Sequence, residues 1–245
     1  MKGCIRQFTR FPQVLALVAV IILVPVRPGF CQSTAANRAG MGDILHELAP
    51  DDAPPASLKL KPTEKARAIR LLLAAKREES GWHKQLAIYL LATLGQDYER
   101  NRDALLRAWA KVGDDGTMAL VIQLYEQGHE ELLQPLLARY DGWNAATSEG
   151  LGTFYGDLMA KNPQDFLAVL ATFPPRRQLY LCTSAGEADG GGMNPKTERR
   201  VLSNLKAIGG EVADRCASGV RAGNRSANEA NQEEQKGIQN EQKKK

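Results

Sequence analysis

Among the side chains able to do chemistry, the sharpest local string is Glu79-Ser80-Gly81-Trp82, which sets a carboxylate at the end of a helical pattern. A glutamate held against an apolar wall keeps its proton to near-neutral pH and can act as a general acid. The other groups do not gather along the chain. His46, His83 and His129 each stand alone in their segments, with no second histidine or cysteine three or four residues away, so no metal site is indicated. Ser148, Ser184 and Ser203 have no histidine near them in sequence. Asp189-Gly190-Gly191-Gly192 precedes a capped helix start at Asn194-Pro195, where free amides can receive an anion. Its spacing matches neither the Walker nor the dinucleotide pattern and no strand leads into it, so it reads as a connector and implies no cofactor.

Glu79-Ser80-Gly81-Trp82 resembles the catalytic Glu-Ser segment of lytic transglycosylases, exported enzymes that cut peptidoglycan. The resemblance implies a glutamate of raised pKa protonating the glycosidic oxygen, a role that only Glu79 can inherit here. It covers four residues of 245. Where that family carries a Gly-Leu-Met-Gln segment, residues 88–94 read as a plain amphipathic helix. Taken from the residues alone, Glu79 is a solvated member of a last helical turn, Ser80-Gly81 a stop and Trp82 the anchor of the next helix.

The chain opens with a basic stretch from Met1 to Arg10, an apolar run from Val14 to Val26 and then small and polar residues, the order of a secretory signal peptide over 1–31. The run, about 13 residues, is short of the roughly 20 that cross a bilayer as a helix. Cleavage fits after Cys31 or after Ala36. The alternative is an uncleaved segment anchoring the protein to the membrane; lipidation of Cys31 is disfavoured because bulky Phe30 precedes it. Either cut leaves Cys182 and Cys216 in a compartment where disulfides persist, and the two are expected to pair.

The formal net charge is +4, but residues 1–31 hold four basic side chains and no acid. Removing them leaves 28 basic against 28 acidic residues, so the mature chain is formally neutral. Charge is nevertheless uneven. Lys59, Lys61, Lys65, Arg67, Arg70, Lys76 and Arg77 face Glu64 alone within 59–77, while 97–165 holds 12 acids against six bases. Such a division can dock an acidic partner at one end of the fold. Nucleic acid is not the expected partner, because aromatic residues are not interleaved with the bases.

These residues must be positioned by helices, because apolar side chains recur at three- and four-residue spacing from Thr63 onward and strand-like alternation is absent. Gly95, Gly113 and Gly128 supply stops, Asp114 or Asp115, Asn162-Pro163 and Asn194-Pro195 supply starts, and Pro135 should kink or split the helix around it. The pattern predicts an all-α domain over 63–221 with about nine to ten helices, as stacked antiparallel hairpins of irregular solenoid type or as a bundle. Residues 32–62 read as a flexible linker, a tether or loosely docked arm, with a short helix at Ile44 to Leu48, and 222–245 as a disordered polar tail. The expected function is an exported, non-enzymatic scaffold or interaction module of the periplasm or cell envelope, binding another envelope protein and keeping no membrane span after cleavage. The alternative is a peptidoglycan-acting lytic enzyme using Glu79 as general acid.

Overall fold

A computed structural model describes residues 43–113, 115–139 and 145–242. The leader, Cys4, Cys31, Asp114 and the terminal lysines lie outside the described residues. Within them the protein is all-α, with no strand. After α1 (43–48) come α2 (Pro62–Glu78), α3 (Gly81–Thr93), α4 (Tyr98–Val112), α5 (Asp115–Glu126), α6 (Leu133–Ala138) and α7 (Ala145–Lys161). The chain ends with α8 (Pro163–Leu170), α9 (Pro175–Glu187), α10 (Pro195–Ile208) and α11 (Glu211–Gln242).

The principal contacts join each helix to partners no more than three places away, and α3, α5, α7, α9 and α11 form one continuous row. That is the arrangement of stacked hairpins, in which every element buries its apolar stripe against near neighbours in the chain. The periodic residues face inward as their spacing requires: Leu72, Leu86, Leu90, Leu105, Trp109, Val121, Leu151 and Met159 are all buried. Gly95 turns left-handed (φ 73°), which lets Gln96 N–H donate to Leu91 O at 2.9 Å and close the end of α3. Asn194 caps α10 by accepting from Lys196 N–H at 2.9 Å.

Side chains of one hairpin also satisfy the open carbonyl ends of another. Arg139 donates to Trp109 O near the end of α4 and lies over the Trp109 ring. Arg177 of α9 donates to Leu137 O and Ala138 O of α6, and Asn204 of α10 to Met159 O and Ala160 O of α7. The last carbonyls of a helix have no partner within it, so these bonds fix where successive helices meet as well as satisfying polar groups.

Two sequence expectations are corrected, that of a flexible linker and that of a disordered tail. The 43–61 part of the supposed linker is a docked arm: Ile44, Leu45, Leu48 and Ala49 are buried, Leu58 and Leu60 pack on the core, and Tyr89 donates to Pro55 O. Four apolar positions in a six-residue stretch bury enough surface to hold it there. The stretch around Pro135 is split, as the proline leads one to expect: Glu130–Leu132 forms a 3-10 turn and α6 begins at Leu133, leaving proline in a first turn, where no amide is needed. The polar tail continues α11 to Gln242, although it is almost wholly exposed from Asn228 onward. Its Glu, Gln, Lys and Ala content suits a helix, and the docked half removes the cost of starting one.

Cys182 of α9 and Cys216 of α11 form a disulfide across 34 residues. Around it the helices meet at their backbones. A Cβ on Gly219 would lie 2.9 Å from both Cys182 Cβ and Leu179 O, one on Gly186 would run into Val220 O, and one on Gly223 into Thr183 O. Gly152 of α7 fits the other side of α9, its missing Cβ 2.6 Å from Ser184 O. Gly223→Ala should therefore destabilise by about 1–3 kcal/mol through overpacking, while Gly237→Ala, in open space on the same helix, should gain about 0.5–1 kcal/mol in urea denaturation. Equal effects would contradict this packing. Replacing both bridged cysteines with alanine should lower stability by about 4 kcal/mol through the freed loop, read from the shift of the same transition.

Candidate functional site

Glu79 ends α2 in extended backbone, and its side chain is partly exposed, 4.0 Å from His83 Nδ1. His83 Nε2 lies 3.6 Å from Asp52 Oδ1, so the three form a cluster at the surface. Glu79 is not in the lining of the cavities described below, nor of the shallow groove along α11. The 88–94 stretch forms the second half of α3 and its cap, and Ile88, Tyr89, Leu90 and Leu91 are buried in the core.

The glycine loop's amides are all occupied. Gly190 and Gly192 donate to Glu187 O, Gly191 to Asp189 Oδ1 and Met193 to Gly186 O, so they are not free to hold an anion. Ser148 and Ser184 do come together, beside Glu187 and Ser226 in a shallow cavity of about 250 Å³ without a histidine in its lining. Ser184 donates to Tyr180 O. Burial pushes the Glu187 carboxyl above its ordinary value. Among the described residues no three His, Cys, Asp or Glu side chains converge as a metal site would require.

The basic cluster divides in two. Arg67 pairs with Glu47 of the arm at 3.1 Å. Lys76 donates to the buried Asn101 side chain at 2.5 Å, and burial, followed by Arg100 and Lys84, lowers its pKa against the pull of Asp97. Lys59, Lys61, Lys65, Arg70 and Arg77 remain exposed, and none forms an ion pair with another described residue. Lys65, Arg70 and Arg77 lie on α2, the first long helix of the stack, and Lys59 and Lys61 on the segment that leads into it.

Tertiary structure assembles two groupings with no local signature. One joins α4 to the turn before α6. Tyr98 donates to Glu131 Oε1 at 2.6 Å and stacks on His129 with ring centres 3.9 Å apart, and Arg102 lies 3.7 Å from the same carboxylate. The other is a cleft of about 390 Å³ between α5, α7 and the start of α8, with Tyr125 and Phe154 in its wall and Glu126, Glu130, Asp157 and Asp165 around it. Tyr125 and Phe154 meet edge to face at 5.6 Å. The Tyr125 hydroxyl is pushed above its ordinary pKa by burial and then by the charges of Asp165 and Glu130. Residues 125 and 154, or 130 and 165, are too far apart in the chain for helical spacing to reveal that they share a wall.

No family model matches the chain, and neither a curated protein nor a solved structure matches it. The groupings above therefore carry the functional argument without the aid of a relative.

Burial raises the Glu131 carboxyl, but the Tyr98 hydrogen bond, its own backbone amide, His129 and Arg102 outweigh it and hold the pKa below the ordinary value. A carboxylate lowered in this way contributes stability above its unfolded pKa, and the contribution is lost as pH falls through the folded one. Glu131→Gln should lower the thermal midpoint near neutral pH and lower it less in acid, below the depressed pKa of the folded state, where the wild-type carboxyl is protonated too. The same decrease at both values would show that the charge contributes nothing.

Proposed function

We propose that the protein is an exported, non-enzymatic helical module that docks an acidic surface of an envelope protein onto the basic face of α2. The supporting observation is the set of five exposed cations, Lys59, Lys61, Lys65, Arg70 and Arg77, left without ion pairs to described residues on α2 and the segment before it. Lys and Arg outnumber Glu64 and Glu78 on α2, and such a local excess of one sign attracts an opposite surface and orients it during approach. The rigid backing comes from Leu72 and Ala75, which are fully buried beneath that face.

Export is supported by the leader-like sequence of 1–31 and by the Cys182–Cys216 disulfide, because such bonds persist in oxidising compartments. No helix among the described residues is long and apolar enough to cross a membrane. The protein is then held at its place of action by its partner.

The test is affinity capture from an envelope extract with the wild-type chain and with Lys65→Glu/Arg70→Glu/Arg77→Glu. Exposed charge pairs contribute up to about 1 kcal/mol each, so the triple variant should bind the captured protein at least about tenfold more weakly, and raised salt should release it from the wild type. Capture that survives both changes would overturn the reading. Intact mass of the exported chain should show the loss of its first 31 or 36 residues.

A further inference from the structure

We infer that the cleft between α5, α7 and α8 is a binding site for an extended basic peptide segment, which places a guanidinium or ammonium group among its carboxylates and an aliphatic side chain against Ile208. This inference is independent of the basic face of α2, since other residues and the opposite charge carry it.

The first argument is the charge left over inside a concavity. Asp157 pairs with Lys161 at 3.7 Å, whereas Glu126, Glu130 and Asp165 form no ion pair with any described residue. A cavity of about 390 Å³ has room for a long side chain, at the small end of ordinary ligand sites. The carboxylates do not converge as metal ligands do, so they suit a cation whose charge is spread or mobile. Tyr125 and Phe154 add π-surface, which attracts an organic cation and covers its aliphatic stem.

The second argument is continuity, which favours a peptide over a small free cation. A second cavity, of about 310 Å³, shares Lys161, Asn162 and Asp165 with the first and continues to Ile208 at the end of α10. Ile208 is 40% exposed, one of few large apolar side chains left to solvent. A strand-like segment lying through both cavities meets carboxylates and rings first and an apolar surface next. The cleft also contains its own specificity element, because Lys161 at the junction repels a second cation placed there.

The test uses a fluorescein-labelled peptide, Gly-Arg-Leu-Arg-Leu-Gly, and its counterpart with citrulline for arginine, titrated into the full chain and followed by anisotropy. Saturable binding of the arginine peptide alone is expected, weakening as salt rises. Glu126→Gln/Asp165→Asn should weaken it about tenfold, from two exposed charge contacts. Glu126→Gln alone should weaken it less while leaving the fold intact, since that charge sits at the unfavourable end of α5. Ile208→Ser should also weaken it, whereas Glu233→Gln/Glu234→Gln on the exposed part of α11 should not. Equal binding of the citrulline peptide, spermidine competing as strongly as the arginine peptide, or equal loss in the α11 variant would overturn the proposal. So would a dimer of the free protein that Glu126→Gln/Asp165→Asn abolishes, because the cleft would then belong to a second copy.

Discussion

The close approach of α9 to α11 is the constraint on which the rest of the stack depends. Two helices come this near only where one or both lack side chains, and Gly186, Gly219 and Gly223 remove them at successive levels of the contact. The same approach brings Cys182 to Cys216, so packing and covalent bond specify a single register. With α11 on one side, α9 presents its other side to Gly152 of α7, and α7 in turn carries Phe154 and Asp157 into the cleft. A shift of α9 by one turn would separate the cysteines, force Cβ atoms into carbonyls and move the wall of that cleft.

The polar bonds between hairpins work in the same direction. Arg139, Arg177 and Asn204 each bridge to carbonyls near the end of an earlier helix, and Tyr155 reaches Leu136 O at 2.7 Å inside the core. Apolar packing is tolerant of sliding, but a hydrogen bond to a particular carbonyl is not. Non-directional burial therefore supplies most of the cohesion and these bonds select among nearly equivalent arrangements. Charge then follows from the order of the stack: the run rich in lysine and arginine falls on α2 and the segment before it, and acids from α5, the following turn, α7 and α8 meet around one concavity.

Helix existence was legible because it is written locally. The spacing of Leu86, Tyr89 and Leu90, the stop at Gly95 and the start at Asn194-Pro195 each act within a few residues, and all appear where the pattern places them. Docking of the arm was not decided by the sequence, because Pro54, Pro55 and the acids of 51–52 suggest a loose linker, whereas Ile44, Leu45 and Leu48 are buried and Glu47, Asp52 and Pro55 meet side chains of α2 and α3. Glu79 drew attention because of its neighbours in sequence, and its neighbours in space turn out to be His83 and Asp52. The Tyr125 and Phe154 cleft had no signal of that kind, since aromatic residues at helical spacing look the same whether they line a core or a groove.

Sequence by itself determined the all-α class, most helix boundaries to within a turn (the end of α11 apart) and the separation of basic from acidic stretches, because periodicity, caps and composition are properties of a few consecutive residues. Only the tertiary structure decided which glycines are contacts, where the arm lies, which cations stay unpaired and which carboxylates share a cleft. Those outcomes depend on distances between residues tens of positions apart, and such distances are set by how side-chain volumes fit across helices.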